Sequence, residues 1–180
     1  MGTDYSKCKL TRFPTPVLEQ RAEPVAEIND DIRRLADRMI DLMVETQGVG
    51  FAAPQAGVNL RMFVVSLDSS RDSAKVYINP EIEVSGPTLS HEEGCLSLPG
   101  IYSQIQRHAK CKVTATDLDG NRFTEEAEGL LARAFQHEYD HLDGIMFTDR
   151  ISPLRKRMIK SKLANMEKGK VSCHYRVKTV

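Results

Sequence analysis

The sequence predicts an α+β fold: small mixed or antiparallel sheets packed around a central helix, with further helices toward the N- and C-termini. Three observations carry that expectation. Residues 29–46 repeat apolar side chains at the helical period. Residues 61–126 hold short β-branched and aromatic runs punctuated by turn formers. Two further helical patterns then follow with no strand between them, so the order is helix, strands, hairpin, helix, helix and not alternating βαβ units.

Each element has its own local reason. In residues 29–46, Asn29 or Asp30 can cap a helix, Ile32, Leu35, Ala36, Met39, Leu42 and Met43 line one face, and Gly48 ends it. Residues 61–67 (RMFVVSL) and 75–79 (KVYIN) are apolar runs between turn formers, hence strands, and residues 82–85 extend the second. Residues 111–118 alternate apolar and polar side chains, reach Asp119-Gly120 and continue through 121–126, the pattern of a hairpin. A helix is predicted over about 128–142, with Gly144 just beyond its end. Leu130, Ala134, His137 and His141 share one of its faces, so the histidines border an apolar stripe turned toward the sheet. Ser152 suits an N-cap and Pro153 a first helical position, opening a last helix to about Glu167. Leu154, Met158, Ile159, Leu163 and Met166 are its candidates for packing on the body.

With 180 residues, 41% of them hydrophobic, the chain is long enough to bury a sizeable core. One catalytic domain is expected over residues 1–170, including the helix at about 152–167, followed by a tail at 171–180. No run approaches a membrane span, and charged residues occupy the place of a secretory apolar stretch, so a cytoplasmic protein with neither membrane nor DNA partners is expected. Four irregularly spaced cysteines do not make a disulfide framework. Cys95 stands apart from Cys8, Cys111 and Cys173, because the glycine and proline punctuation of residues 92–100 suggests a shaped loop or strand end. Net charge is zero but uneven: residues 152–180 hold nine Lys/Arg against Glu167 alone, which leaves +8 there and −8 in the remainder.

The chemistry concentrates in His137-Glu138-Tyr139-Asp140-His141, an HExxH pattern. Residues four apart on a helix share a face, so both imidazoles can reach one metal ion with Glu138 beside it. A catalytic divalent ion has three protein ligands and one open position for water. HExxH supplies two, neither His nor Glu stands at the later metzincin position, and few residues remain after Gly144, so an upstream third ligand is expected. Asp140 either orients a ligand through a hydrogen bond or is an ordinary helix-surface aspartate. Gln55 read alone is a loop amide, and Leu130 and Ala134 read alone are as well suited to plain core as to a pocket.

Gly48-Val49-Gly50-Phe51-Ala52-Ala53-Pro54-Gln55, Glu93-Gly94-Cys95-Leu96-Ser97 and Gln136-His137-Glu138-Tyr139-Asp140-His141-Leu142-Asp143-Gly144 fit GxGxAAxQ, EGCLS and QHExDHLxG in that order. Together they resemble the three motifs of peptide deformylases, over about residues 13–153. The resemblance implies that Cys95, His137 and His141 bind one divalent metal, with Fe2+ as the native ion and Zn2+, Ni2+ or Co2+ as alternatives. It implies Glu138 as the proton carrier, and the backbone N–H of Leu96 with the side-chain amide of Gln55 as an oxyanion hole. Gly48 and Gly50 would let the backbone approach substrate, and Val49, Leu130 and Ala134, with the edge of His137, would line a methionine pocket. Glu93 and Arg107 resemble an ion pair behind the cysteine. Some family members carry arginine at Tyr102, so a substrate contact made by that arginine does not carry over.

The activity so implied is removal of the formyl group, as formate, from the N-terminal formylmethionine of nascent proteins. The basic C-terminal helix would contact the ribosome and its RNA. An HExxH metallopeptidase, and a catalytically silent homologue that binds nascent chains or ribosomes, are the alternative readings.

Overall fold

The structure, a computed structural model, describes residues 4–170; the predicted tail at 171–180 and Cys173 lie outside them. The described strands form one five-stranded antiparallel sheet in the order β1 (Gly50–Ala52), β2 (Met62–Val65), β3 (Lys75–Cys95), β4 (Leu98–Thr116) and β5 (Arg122–Glu128). The α+β expectation holds, with all the strands in a single sheet. Helix α1 (Asp30–Glu45) precedes it, and α2 (Gly129–Leu142) and α3 (Pro153–Glu167) follow.

Strand β2 shows how the layers arise. Consecutive side chains on a strand point to opposite faces. Met62 and Val64 therefore pack with Leu35, Met39 and Met43 of α1, whereas Phe63 and Val65 pack with Ala134, Phe135 and Leu142 of α2. The Phe63 and Tyr77 rings stack at 4.9 Å, and Phe135 of α2 meets the Tyr77 ring edge-on at 5.0 Å. Helix α1 starts where predicted: the Asn29 side chain accepts from the backbone N–H groups of Asp31 and Ile32, satisfying donors that the first turn leaves unpaired.

The hairpin of β3 and β4 is far longer than the sequence pattern indicates. Residues 80–91 of β3 are mostly exposed on both faces, so no apolar alternation marks them. Pro80 and Gly86-Pro87 punctuate the run, and the ladder accommodates them with register shifts between Ile78 and Glu81 and between Ser85 and Thr88. The buried far end of the hairpin, with Cys95, Leu98, Ile101 and Ile105, joins Leu18, Phe147, Ile159 and Met166 in a third apolar cluster.

Helix α3 corrects one packing expectation. Ile159 and Met166 are buried and Leu163 half-buried, whereas Leu154 and Met158 are 70% and 62% exposed. Residues 159, 163 and 166 follow an i, i+4, i+7 stripe; 154 and 158 stand on another face.

The C-terminal end of α2 is tied down from outside. The guanidinium of Arg61, itself buried, donates to the carbonyl of Leu142 at 3.1 Å and to Asp143 at 2.8 Å and lies over the Tyr139 ring. The N–H of Ala22 donates to the same Leu142 carbonyl. Gly144 follows with φ +71, and a Cβ there would sit 2.8 Å from backbone atoms of Glu19 and Gln20. Both the left-handed backbone and the close approach demand glycine. Gly144→Ala is expected to destabilise the fold by about 2–4 kcal/mol, to be measured by denaturant unfolding; a loss below about 0.5 kcal/mol, the usual range for surface changes, would contradict this packing.

Candidate metal centre

Helix α2 and the tip of the long hairpin assemble the site. Apolar Ala132, Phe135 and Leu142 seat α2 on the sheet, and the same seating buries His137, Glu138 and His141. The rings of His137 and His141, four residues apart, stand 5.0 Å apart and nearly perpendicular. Cys95 ends β3 at a two-residue turn, paired in register with Leu98, so the shaped strand end read from its glycine and proline is what the structure holds.

That turn brings Cys95 Sγ to 3.3 Å from His141 Nε2, and donor atoms of Cys95, His137 and His141 all lie within 4.8 Å of one another. One thiolate and two imidazoles at this spacing suit a divalent ion of the zinc or iron(II) type. The electrostatics agree. Burial opposes charge on His137, yet hydrogen bonds from the Cys95 and Glu93 side raise its pKa to about 10, and a cation on the site would take over that positive charge. Burial, with His137 alongside, drives His141 well below its ordinary value and keeps it neutral, the form in which an imidazole can bind a metal.

Behind His137 runs a buried chain of charged groups. His137 Nδ1 lies 3.1 Å from Glu93 Oε2. Arg107 grips Glu93 with both arms of its guanidinium, Nε to Oε1 at 2.9 Å and Nη2 to Oε2 at 3.0 Å, and reaches Asp140 with Nη1 at 2.5 Å. Burial alone would raise the Glu93 carboxyl, but its bonds with His137 and Arg107 pull it down to about 2. The ion pair behind Cys95 is thus present and extends farther than the sequence indicated. Asp140 is buried, which rules out the helix-surface reading, and its partners are the guanidinium groups of Arg107 and Arg150 and not His137 or His141.

Glu138 is buried with its Oε2 lacking a hydrogen-bond partner among the described residues, and burial raises its pKa to about 7. A carboxyl poised there can take and return a proton near neutral pH. Gln55 is buried too; its Oε1 accepts from the Ala52 N–H at 2.9 Å, which aims its Nε2 toward Cys95 Sγ (3.5 Å) and Ser97 Oγ (3.4 Å). The Leu96 side chain buries in the α1 cluster beside Gly48, where a Cβ would approach Leu96 Cδ1 to 2.9 Å.

The pocket candidates stand near one another: Val49 and Ala134 are fully buried in one cluster, with Leu130 half-buried against it. Arg61 and Arg150 were not singled out from sequence; neither belongs to one of the three motifs, and their partners lie in α2 or at its C-terminal cap.

Residues 7–157 match the family described as polypeptide deformylase. The chain belongs to the peptide deformylase family. Peptide deformylases are hydrolases that remove the N-formyl group from nascent proteins, and the metallopeptidase alternative is accordingly not favoured. The chain is 44% identical over 162 residues to the peptide deformylase of Acidobacterium capsulatum, covering 89% of this chain and 95% of that one. In structure it resembles a plant peptide deformylase (TM-score 0.87, 34% identity, 94% of this chain and 93% of that one). It also resembles a peptide deformylase from Legionella pneumophila (TM-score 0.84, 39% identity, 89% and 95%).

Gly50 is the tightest point of this site. A Cβ there would lie 2.4 Å from Glu138 Oε1 and 2.8 Å from its Cγ and Cδ, so the buried carboxylate would have to move. Gly50→Ala should displace Glu138 and lower turnover by at least about 10²-fold, the scale of a 1 Å misplacement, with the fold intact by circular dichroism; turnover within about threefold of wild type would show that Glu138 need not hold this position.

Proposed function

We propose that Cys95, His137 and His141 hold one divalent metal ion and that Glu138, Gln55 and Leu96 complete the hydrolytic machinery for N-formylmethionine peptides. The observation that carries this reading is the convergence of the thiol and two imidazoles from separate elements within 4.8 Å, next to the buried, unpartnered Glu138 Oε2. When bound, the ion supplies a water acidified to a pKa of about 7. Glu138 would take the water's proton at Oε2 as the water oxygen bonds to the formyl carbon, and would return it to the departing peptide amine, so that the C–N bond of the formamide breaks and formate leaves. The Nε2–H of Gln55 and the N–H of Leu96 meet the charge that develops on the formyl oxygen. Gly48 and Gly50 admit the substrate backbone, and Val49, Leu130 and Ala134 receive the methionine side chain.

Fe2+ is the proposed native ion, with Zn2+, Ni2+ and Co2+ compatible with the same ligands. We place the catalytic domain at residues 1–170 and the protein in the cytoplasm, where nascent chains emerge; among the described residues no helix is long and apolar enough to cross a membrane.

Two substitutions test the assignment together, with metal counted after anaerobic purification. Glu138→Gln keeps shape but not basicity, and should retain metal while formate release from a formyl-Met tripeptide falls by about 10²–10⁴-fold. Cys95→Ser should lose metal, unlike Cys8→Ser or Cys111→Ser. A metal-loaded Glu138→Gln protein with near-normal turnover would remove Glu138 from its role, and equal metal retention by all three cysteine variants would remove Cys95.

The basic face of α3 is proposed to meet ribosomal RNA. Arg157 and Lys160 are exposed, and Leu154 and Met158 stand out from the same helix without burial against the body. Contacts to phosphates release counterions, so binding should weaken steeply with salt. Reversing Arg157 and Lys160 to Glu should abolish cosedimentation with ribosomes and leave free formyl-Met tripeptide turnover unchanged; salt-independent cosedimentation would argue for a merely solvated face.

A further inference from the structure

The buried charge chain does not stop at Arg107. Asp140 Oδ2 accepts from Arg107 Nη1 at 2.5 Å and from Arg150 Nε at 2.6 Å, and its Oδ1 accepts from Arg150 Nη2. Read outward from His137, the sequence of contacts is Glu93, Arg107, Asp140, Arg150. Arg107, Asp140 and Glu93 have side chains at most 8% exposed, whereas the Arg150 side chain is 41% exposed. It follows the short 3-10 turn Phe147–Asp149 and stands three residues before α3.

The charges explain why a second arginine is needed. Glu93 and Asp140 are two carboxylates, and Arg107 and Arg150 two guanidinium groups, so with His137 as a neutral ligand the chain sums to zero. Without Arg150, one buried guanidinium would face two buried carboxylates. Leaving a buried charge uncompensated is costly, so Arg107 would be drawn toward Asp140 and its two-armed grip on Glu93 would loosen. Glu93 fixes the ring of His137 through Nδ1, and partners of this kind govern how firmly a metal ligand is held.

We infer that Arg150 is a positioning residue for His137, acting through Asp140, Arg107 and Glu93. The inference rests on His137 being a metal ligand. Arg150 touches neither the ligand set nor the substrate residues, so it acts on metal retention and leaves KM alone.

The test uses Co2+-loaded protein, reading its visible absorption bands and the rate of Co2+ loss to excess chelator, alongside KM for a formyl-Met tripeptide. Arg150→Ala should shift the bands and release Co2+ about tenfold faster, the low end of the effect of deleting a direct partner of a ligand, with KM unchanged. Arg150→Lys, which keeps the charge but not the fork, should fall between that variant and wild type. Arg122→Ala, which removes an exposed arginine paired with Glu81 away from the chain of contacts, should match wild type.

Wild-type bands and wild-type release in Arg150→Ala would overturn the inference, as would equally fast release from Arg122→Ala. If Arg150→Ala does not fold, Arg150→Lys decides: release as slow as wild type overturns the inference. Wild-type protein whose Co2+ spectrum lacks a thiolate charge-transfer band would instead overturn the ligand assignment on which it rests.

Discussion

A carboxylate with no access to water cannot stay ionised without compensation, and Glu93 is such a group at the centre of this molecule. Its compensation comes from Arg107 on the neighbouring strand and from a histidine on α2, so satisfying one buried charge joins β3, β4 and the helix. Asp140 adds a second point where β4 and α2 meet. Buried pairs of this kind are poor sources of net stability but strict about geometry, because breaking one leaves a bare charge inside. The hairpin tip carries the thiol and the helix the imidazoles, so the relation that neutralises Glu93 also fixes the distance between the donor atoms.

The apolar layers are consistent with this constraint. The two faces of β2 divide cleanly between α1 and α2, and the aromatic contacts of Phe63, Tyr77 and Phe135 seat α2 against the sheet. Arg61 and Ala22 anchor its far end. Apolar packing thus seats the helix that carries His137, Glu138 and His141. Gly50 is the place where the two systems come closest, since the strand backbone passes directly over the Glu138 carboxylate.

Much of this arrangement was legible in the sequence wherever burial was one-sided. The spacing of Ile32, Leu35, Met39 and Met43 marked α1, Asn29 its start, and His137 and His141 a shared face of α2. Beyond residues 82–85 the long hairpin was not legible up to residue 110: residues 86–91 are exposed on both faces next to a bulge at Gly86, and on β4 the buried positions do alternate, but polar Ser103 and Arg107 take turns there with Ile101 and Ile105 and break the apolar period. Charge relations were also hidden. Asp140 next to His141 gave no sign that it bonds two arginines and neither histidine, one arginine 33 residues upstream in sequence and one 10 residues downstream. Leu154 and Met158 looked like core by composition, and only the angular position of Ile159 and Met166 decides which face of α3 is covered.

The tie between Ala22 and Leu142 gives the molecule a late-closing architecture during synthesis. Strands β3 and β4 are neighbours in sequence and can pair as soon as both have left the exit tunnel, since local contacts need little loop closure. The N-terminal segment must wait for a helix more than a hundred residues downstream, and Cys95 meets His137 and His141 only once that same helix has formed. A member of a family that acts on chains still being made thus brings these parts of its own fold together only after α2 has been made.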